Sequence, residues 1–380
     1  MKICHITHGR VNPNGVNGIT RTVYSLNKYL NENGVKSEIY SFNDNQNEIE
    51  DFIRDEFTTV KLFPRSKLFK SKEFCKYILS DKFDFDVVHF HLMWMLDKNT
   101  ILSALKRKGI PYIITTHAAY TPDRIDSIKK KISINTLEKK YLVNAYSIHA
   151  LCYEEKGFLR DLGLKAPIYV IPNGISSSEI NKITNSKLSK NPFQTDYINL
   201  VWVGRIREDK NVFGIVKSLL FLNEEIRRKI KIHVVGNGIK NYIHKVKNEI
   251  SKNNLEKNVI FHGPKFKEEK YQFILNSDIY VQPSFSEGIS FSILDAMACG
   301  KPMILTRQTN MTYYYNKNFY EMTEPYPEDI ANSIKKLVLN KKLRMVLGDN
   351  AKKMIDTTFN WDSLIHEYIK MYKKIKNQNE

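Results

Sequence analysis

Short apolar runs alternate with longer amphipathic stretches along the chain, and they form two series. The first series begins at Lys2 (KICHI), Lys36 (KSEIYS), Val87 (VVHFH), Tyr112 (YIITT), Ser147 (SIHALC) and Ile168 (IYVI). The second begins at Ile198 (INLVWVG), Lys231 (KIHVVG), Asn258 (NVIFHG), Asp278 (DIYVQP) and Pro302 (PMILT). Short apolar strands separated by helical stretches are typical of parallel sheets with crossover helices. The pattern therefore predicts an α/β protein with two Rossmann-like domains.

The pattern lapses between the two series. Residues 176–197 are polar, rich in Ser, Asn and Lys, and carry a proline, which is typical of an interdomain linker. We therefore predict an N-terminal domain over 1–177, a linker over 178–197 and a C-terminal domain over 198–360, with a ligand cleft between the domains. Residues 361–380 contain helical periodicity, and no strand follows it.

Composition agrees with two folded domains. The chain has 380 residues, of which 42% are hydrophobic, enough to form two cores. Its four cysteines have no CxxC spacing, which favours buried thiols in a reducing compartment over a disulfide framework or a zinc site. The N-terminus is typical of a first strand and not of a signal peptide. No run reaches the roughly 18 apolar residues of a membrane-spanning helix, so we expect a cytoplasmic protein.

The net charge of +18 calls for an explanation. A positive field of this size attracts nucleic acid, anionic lipid or small anions such as sugar nucleotides. No recognised nucleic-acid-reading module is present, and the cations do not gather on one candidate groove helix, so we expect no nucleic-acid partner. A Lys- and Asn-rich composition without a binding role remains an alternative explanation of the charge.

The strongest candidate site follows the strand DIYVQP. The segment SFSEGISFSILDAMACGKPMILT, from Ser284, predicts a loop that contains Glu287 and then a helix. In a parallel sheet this helix begins at the carboxyl edge, where such folds bind ligands, and its first amides suit an anion such as diphosphate. The amides expected there are those of Ile289, Ser290 and Phe291.

Two carboxylates accompany this helix. Glu287 would repel a phosphate beside it, so it suits hydrogen bonds from the hydroxyls of a sugar. Asp295 lies two turns along the helix, where a second polyol such as ribose could reach it. The alternative is that Glu287 caps a loop and Asp295 is a solvated helix residue.

Two cations follow the strand NLVWVG at the same edge of the sheet. Arg205 and Lys210 lie five residues apart in the loop GRIREDKN, so both can converge on one diphosphate. A solvated loop in a Lys-rich chain is the alternative, and Asp209 could pair with either cation.

The first domain offers weaker signals. Gly15 and Gly18 precede a helix and let a ligand approach the backbone. His117 ends the strand YIITT and could face the cleft, although a structural role is equally compatible with its position. His89 and His91 alternate in VVHFH, which favours packing or support of another residue over metal ligation.

One pair of aspartates matches a known metal-binding pattern but lies at the wrong position in the predicted sheet. Asp84 and Asp86 have the DxD spacing that metal-dependent glycosyltransferases of another fold use to hold a diphosphate-bound cation. Here both carboxylates precede the strand VVHFH and so lie at the wrong end of the sheet. We therefore predict no metal site and no cofactor.

In joint order and spacing, these features resemble the retaining glycosyltransferases of family 4, which have the GT-B fold. The resemblance covers most of the chain. It rests on the Gly18 loop, FDVVHFH from Phe85, PYIITTH from Pro111, VIPNGI from Val170, VGRIREDK from Val203, VVGNG from Val234, EGISFSILDAMACGKP from Glu287 and FNW from Phe359. It implies two Rossmann-like domains facing a central cleft, with the last helix packed back on the first domain.

The resemblance also implies roles for individual residues. Arg205 and Lys210 would bind the donor diphosphate, and Glu287 the hydroxyls of the donor sugar. Asp295 matches a family glutamate that holds the ribose, and His117 would lie near the transferred sugar. The implied donor site consists of Gly18, Gly204, Arg205, Lys210, Glu287, Gly288, Ile289, Ser290 and Asp295, and the implied catalytic residues are Arg205, Lys210, Glu287 and His117.

The chain departs from the family pattern at three places. Asp295 is one methylene shorter than the usual glutamate, and Asn211 stands where a glycine commonly follows the lysine. The stretch TRQTNMTYYYN, from Thr306, lacks the usual glycine-rich turn and acidic residue.

The resemblance implies a metal-independent, retaining hexosyltransferase. It would move a hexose or N-acetylhexosamine from a nucleotide-diphosphate sugar, UDP being favoured over GDP, to a glycan or lipid-linked acceptor in cell-envelope polysaccharide or glycoconjugate synthesis. A catalytically inactive homologue that acts as a partner subunit remains the alternative.

Two basic stretches in the first domain suggest a membrane surface as a further partner. Residues 61–82 interleave Lys and Arg with Phe63, Leu68, Phe69 and Phe74, and residues 129–140 carry five lysines. Basic residues mixed with apolar ones can lie on an anionic bilayer, so we expect peripheral binding to the inner face of the cell membrane. Solvated helix faces are the alternative.

Overall fold

The computed structural model describes residues 1–8, 11, 17–43, 50–64, 71–95, 98–125, 127–176 and 191–377. Gly15, Leu68 and Phe69 and most of the expected linker therefore lie outside the described residues. The chain divides into two compact units. Unit 1 contains Met1–Asn173 and Trp361–Glu380, and unit 2 contains Gly174–Asn360.

Unit 1 is a sheet with helices between its strands. Its strands are β1 (Lys2–His8), β2 (Lys36–Asn43), β3 (Glu50–Asp55), β4 (Thr58–Pro64), β5 (Val87–Phe90), β6 (Tyr112–Thr115), β7 (Ser147–Ala150) and β8 (Ile168–Val170). Its helices before the linker are α1 (Gly18–Glu32), α2 (Lys72–Leu79), α3 (Lys98–Lys108), α4 (Ile128–Asn135), α5 (Leu137–Val143) and α6 (Tyr153–Asp161).

Unit 2 repeats the alternation. Its strands are β9 (Ile198–Ile206), β10 (Ile230–Gly238), β11 (Val259–Gly263), β12 (Ile279–Gln282), β13 (Met303–Thr306) and β14 (Tyr320–Thr323). Its α-helices are α7 (Val212–Ser218), α8 (Glu224–Arg228), α9 (Lys240–Lys252), α10 (Lys267–Asn276), α11 (Phe291–Ala298), α12 (Pro327–Leu339) and α13 (Lys341–Thr357). A short 3-10 turn, Glu208–Lys210, follows β9.

Strand order places the ligand-binding edge of each sheet. The sheet of unit 2 has the order β11-β10-β9-β12-β13-β14 and is parallel throughout. The order reverses between β9 and β12, and doubly wound folds bind ligands at the carboxyl ends of the strands at such a switch point. The sheet of unit 1 has the order β3-β4-β2-β1-β5-β6-β7-β8, so its switch point lies between β1 and β5. Only its β3–β4 pair is antiparallel among the described strands.

The final helix, α14 (Trp361–Asn377), belongs to unit 1. Its apolar residues recur three and four positions apart, so they form one face of the helix. That face packs on β1, β5 and β6 through Ile3, Val87 and Ile113 and on α1 through Leu26 and Leu30. The residues it buries are Trp361, Leu364, Ile365, Tyr368, Met371, Tyr372 and Ile375.

Three strands escape the apolar pattern. β3 reads EDFIRD, and β4 reads TTVKLFP, so lysine and acidic residues interrupt the apolar positions. β14 is an edge strand of four residues. β3 and β14 are edge strands, which keep part of their surface in solvent and need not be continuously apolar, so the sequence did not indicate them. β4 lies between β3 and β2, and exposed Thr59 and partly exposed Lys61 interrupt its buried residues.

Among the described residues, no helix combines the length and the apolar character that a membrane crossing requires. The four cysteines are free thiols, and three of them are buried.

Candidate functional site

An ion pair joins the two loops at the switch point of unit 2. Lys210 follows β9 and Glu287 follows β12, and Lys210 Nζ lies 2.7 Å from Glu287 Oε2. Only 16% of the Lys210 side chain and 9% of the Glu287 side chain are exposed. The same ammonium donates to the carbonyl oxygen of Ser286 at 3.0 Å. The two residues predicted to hold the diphosphate and the sugar are therefore in direct contact.

The second oxygen of Glu287 is also held. Its Oε1 accepts hydrogen bonds from Gln282 Nε2 at 2.6 Å and from Ser284 Oγ at 3.0 Å. Both carboxylate oxygens of Glu287 therefore contact donor groups of the protein. The Ser284 contact lies within the loop, as the loop cap that we considered as the alternative requires, and the Lys210 contact joins this loop to the loop after β9.

The stretch after β13 clamps the Glu287 backbone. Gln308 accepts a hydrogen bond from the Glu287 amide through its carbonyl oxygen at 3.0 Å, and Asn310 Nδ2 donates to the Glu287 carbonyl oxygen at 2.7 Å. Thr306 Oγ1 donates to the Ser284 carbonyl oxygen at 2.6 Å. The sequence did not predict this role for the stretch, because none of these contacts is local in sequence.

Asn211 explains one departure from the family pattern. Its φ of 55° lies in the left-handed region, which glycine adopts easily and asparagine more readily than most residues. Its Oδ1 caps α7 by accepting from the Gly214 amide at 3.0 Å, and its Nδ2 donates to Pro283 O at 3.0 Å and Pro325 O at 2.8 Å. The side chain therefore fastens the end of the Lys210 loop to the loop after β12.

Arg205 lies apart from these contacts. Its side chain is exposed, and within the described part of the chain no hydrogen bond or ion pair holds it. Asp209 pairs instead with Arg207 Nε at 2.9 Å and with Lys210 Nζ at 3.4 Å. The competition that we considered between Asp209 and the two cations thus affects Lys210 and leaves Arg205 available.

The turn after β10 packs against the Arg205 strand. Gly236 pairs with Gly204 in register, and Asn237 pairs with Arg205. A Cβ atom added at Gly236 would lie 1.9 Å from the Gly204 carbonyl oxygen, and Gly236 has a φ of 150°. The two glycines of the GNG sequence are therefore required for close backbone approach.

The start of α11 directly follows the loop that contains Glu287. Ser290 is the N-cap residue, and its Oγ lies 2.8 Å from Ser292 Oγ. Gln282 joins this group, since its Oε1 accepts from Ser292 Oγ at 3.0 Å and from Tyr280 OH at 2.5 Å. Because the helix dipole is positive here, an anion at this end would be stabilised.

Asp295 is buried, not solvated. Only 1% of the residue is exposed. Its Oδ2 accepts from Lys270 Nζ at 2.6 Å, and its Oδ1 accepts from Tyr271 OH at 3.2 Å. The interpretation of Asp295 as a solvated helix residue is therefore wrong, and the nearest cation to this carboxylate comes from α10, which the sequence did not indicate.

In unit 1, Gly18 is the first residue of α1. Asn17 caps this helix, since its Oδ1 accepts from the Ile19 amide at 3.0 Å. Both Asn17 and Gly18 are exposed. The helix start is thus formed as an anion site requires, at the loop after β1.

His117 follows β6 in a strained turn. Its φ is 46°, and that of Ala118 is 58°, both in the left-handed region. Each such residue costs about 1–2 kcal/mol, so the surroundings must hold the turn. Glu155 does so from α6: its carboxylate accepts from the Ala118 amide, from the Thr116 hydroxyl and, at 2.7 Å, from the Leu151 amide. Glu155 is buried, and burial raises its pKa.

Five histidines lie on one face of the unit 1 sheet at the carboxyl ends of its strands. His5 Nδ1 lies 3.1 Å from His91 Nε2, and His91 Nδ1 lies 3.1 Å from His117 Nε2. A second chain runs from Tyr372 OH through His89 and Thr115 to His149, with contacts of 2.6, 2.6 and 2.7 Å. Burial lowers the pKa of His5 to about 3 and that of His149 to about 4, so these imidazoles are neutral.

Three of these histidines lie close enough to share an ion: ligand atoms of His5, His89 and His91 fall within 4.8 Å of one another. However, both nitrogens of His89 contact hydroxyl groups, and both nitrogens of His91 contact other histidines. The arrangement therefore favours a hydrogen-bonded network over a metal centre. The DxD pair lies elsewhere: Asp86 precedes β5 and its Oδ2 accepts from the Lys2 amide at the amino end of β1.

The two basic stretches differ in the structure. Phe63 and Phe74 are buried in the core of unit 1, so the membrane interpretation of 61–82 is wrong for these aromatic residues. They pack with other rings, with Phe63 and Phe74 centroids 4.9 Å apart. By contrast, α4 leaves Ile128 76% exposed and Ile132 60% exposed. Around them the exposed lysines are Lys129, Lys131, Lys139 and Lys140.

Comparisons with known proteins match both halves of the chain to family models. The family model described as Glycosyltransferase Family 4 matches residues 16–179, and the one described as Glycosyl transferases group 1 matches residues 184–354. An uncharacterized glycosyltransferase of Methanocaldococcus jannaschii is 27% identical over 383 residues, covering 95% of this chain and 96% of that protein.

Two further proteins extend the comparison. The alpha-monoglucosyldiacylglycerol synthase of Streptococcus pneumoniae is 26% identical, covering 76% of this chain and 68% of that protein. The crystal structure of Anabaena HepE in complex with UDP-glucose superposes with a TM-score of 0.73 at 15% identity, covering 98% of this chain and 100% of that one. At this identity the second likeness concerns the fold alone.

Proposed function

The chain belongs to glycosyltransferase family 4 and has the GT-B fold, and on this premise we propose that it is a retaining, metal-independent hexosyltransferase with a UDP-sugar as its donor. The predicted family and fold are confirmed, and the protein is a glycosyltransferase. The donor, the acceptor and the stereochemical course are our proposal. The crystal structure of HepE with UDP-glucose supports a uridine nucleotide, since that protein shares the fold along the whole chain.

The observation that carries the proposal is the Lys210–Glu287 pair at the switch point of unit 2. A cation and a polyol-binding carboxylate held 2.7 Å apart, beside the start of α11, can bind a diphosphate and the hydroxyls of its sugar together. Arg205, which has an exposed side chain, supplies a second cation for the diphosphate. Asp295 would hold the ribose, either directly or through Lys270.

The proposed reaction needs no protein nucleophile. The bond between the anomeric carbon and the diphosphate oxygen breaks, and Lys210, Arg205 and the helix start stabilise the charge that develops on the diphosphate. The acceptor hydroxyl attacks from the same face and forms the new glycosidic bond. Its proton passes to the departing phosphate oxygen, so atoms and charge balance and the anomeric configuration is retained.

A donor panel tests the proposal. The purified full-length chain is incubated with UDP-, GDP- and ADP-linked hexoses and N-acetylhexosamines, and release of free nucleotide is measured with and without a chelator. We expect release from one UDP-sugar, unchanged by the chelator, and retention of the anomeric configuration in a product analysed by NMR. Release only from a GDP-sugar would refute the uridine assignment. Release from none would favour the inactive partner subunit.

For the acceptor, we propose a glycan or a lipid-linked saccharide of the cell envelope, reached at an anionic membrane surface. The lysines and exposed isoleucines of α4 and α5 support this proposal, since charge attracts the headgroups and apolar side chains enter the interface. The relative from Streptococcus pneumoniae that is named for a glucosylated diacylglycerol also supports a lipid-linked acceptor.

Vesicle flotation tests the membrane surface. The protein should float with vesicles of anionic phospholipid and not with vesicles of phosphatidylcholine alone, and added salt should weaken the binding. A variant with Ile128 and Ile132 replaced by serine should float less than the unsubstituted protein. The control variant Leu339→Ser, which changes an exposed residue of α12 in unit 2, should float as the unsubstituted protein does. Equal flotation of the two variants would refute this surface.

A further inference from the structure

The chain of imidazoles from His117 into the core has two possible proton arrangements. Each neutral imidazole carries one N–H. The hydrogen bonds His5–His91 and His91–His117 must therefore run in the same direction, with each ring donating to the next one along the series of imidazoles. In one arrangement every ring carries its proton on Nδ1. In the other, every ring carries it on Nε2. The choice decides which atom of His117 is a donor.

The buried end of the chain selects between them. His5 is fully buried, and its Nε2 has no hydrogen-bond partner among the described residues. In the Nε2–H arrangement this atom would be an unpaired buried N–H, which folded proteins avoid more strictly than an unpaired acceptor. The Nδ1–H arrangement leaves only a lone pair there. The core therefore favours Nδ1–H on all three rings.

The other end of the histidine chain is His117. Its Nε2 is occupied by His91, the residue is only partly buried, and no described residue forms a hydrogen bond with its Nδ1. Glu155 holds the backbone of the same turn through the Ala118 amide. The ring is thus fixed both by its backbone and by its inner nitrogen.

We propose that His91 and His5 are positioning residues that hold His117 in its Nδ1–H tautomer, which makes His117 a fixed hydrogen-bond donor to an oxygen of the transferred sugar. The proposal rests on the proposed function together with the place near the transferred sugar that the family resemblance implies for His117. The Nδ1–H tautomer is the one that a free histidine side chain favours less, so finding it is not the default outcome. Burial also keeps the pKa of His117 well below its usual value, so the donor is a neutral imidazole.

Nitrogen NMR tests the tautomer directly. The full chain is prepared with ¹⁵N in the histidine rings, and a long-range proton–nitrogen correlation spectrum distinguishes protonated from unprotonated ring nitrogens. The His117 signals are identified by their loss in His117→Asn. We expect a protonated Nδ1 and an unprotonated Nε2 at neutral pH. A protonated Nε2 in the unsubstituted protein would overturn the proposal, whatever the variants show.

Two variants separate positioning from general damage to the core. His91→Leu removes the inner partner of His117, and its tautomer should move toward Nε2–H. Thr115→Val is the matched control, because Thr115 lies on the same sheet face and is fully buried but belongs to the His89–His149 chain. It should leave the His117 signals unchanged. If His117 has the same tautomer in His91→Leu as in the unsubstituted protein, His91 does not position the His117 proton and the proposal is contradicted. If His91→Leu does not fold, His91→Ala, which also removes the inner partner, replaces it.

Kinetics supply the second readout. His91→Leu should lower kcat/KM for the donor about tenfold, the typical effect of losing one oriented hydrogen bond. In a His117→Ala background the same change should have no further effect, because His91 acts through His117. An equal loss in both backgrounds would show that His91 only stabilises the fold. If no donor is turned over at all, the proposed function fails while the tautomer measurement still stands by itself.

Discussion

Replacing Lys210 by alanine is the sharpest test of the donor site. In the transition state the diphosphate gains negative charge, and loss of one donor to such a group typically costs about 3–4 kcal/mol of activation free energy, or 10²–10³ in kcat. The structure adds that this ammonium lies 2.7 Å from Glu287 Oε2 with 16% of its side chain exposed. Its removal therefore also frees Glu287, so KM for the donor should rise in addition to the fall in kcat.

Arg207→Ala is the matched control. Arg207 lies in the same loop and pairs with Asp209 at 2.9 Å, but 37% of its side chain is exposed and no role in donor binding is assigned to it. Exposed ion pairs contribute about 1 kcal/mol or less, so kcat should change by less than about fivefold. The assay is initial-rate nucleotide release over a range of donor concentrations, with thermal unfolding of both variants to show that they fold.

Either of two results would contradict the proposed role of Lys210. If Lys210→Ala retains full kcat, the ammonium does not stabilise the leaving diphosphate. If Arg207→Ala loses as much kcat as Lys210→Ala, the effect reports the loop's charge or folding and not a specific contact. Lys210→Arg adds a graded readout, because it keeps the charge but changes a point donor to a fork, so its loss should be intermediate.

Four other predictions follow from particular contacts. Asp295→Asn should raise KM for the donor about tenfold with a smaller change in kcat, measured in the same assay, because it weakens the proposed ribose contact. Lys98→Met should lower the free energy of unfolding of unit 1, measured by urea titration, by about 3–5 kcal/mol. Lys98 and Glu138 form a buried ion pair, with 2% and 1% of their side chains exposed, and the substitution leaves the Glu138 carboxylate buried without its cation. Gly236→Ala should destabilise unit 2 by at least about 1–3 kcal/mol and reduce nucleotide release, because the new Cβ would lie 1.9 Å from a carbonyl oxygen. Unit 1 should lose stability on acidification: the folded pKa of His5 is lowered to about 3, so its contribution is complete above about pH 6.5 and is lost as the pH falls toward 3, by about 1.4 kcal/mol per pH unit per buried histidine. Constant stability between pH 7 and 5 would contradict the last prediction.

Much of the candidate site could be predicted because it is local. Glu287 and the residues that follow it form a strand end, a loop and a helix start in unbroken order, and this order appears in the residue types themselves. The same holds for Lys210 after β9. Gly300 likewise ends α11 with a φ of 63°, as a glycine after a helix commonly does.

The supporting contacts could not be predicted because their partners are distant in sequence. Asn310 and Gln308 hold the Glu287 backbone from the loop after β13, and Lys270 neutralises Asp295 from α10. The sequence shows that a lysine is present, but only the packing of the folded chain determines which carboxylate it contacts. For the same reason Phe74, which in sequence lies among lysines, belongs to the core.

The sequence by itself determined the two α/β series, the family and the residues around each strand end, because hydrophobic periodicity and turn residues act over a few positions. The tertiary structure decided the rest. Strand order brought β9 beside β12 and so joined Lys210 to Glu287, and it brought β1 beside β5 and so joined His5 to His91. Pairing of strands and burial of charges depend on the free energy of the whole packed domain, which no short stretch of sequence contains.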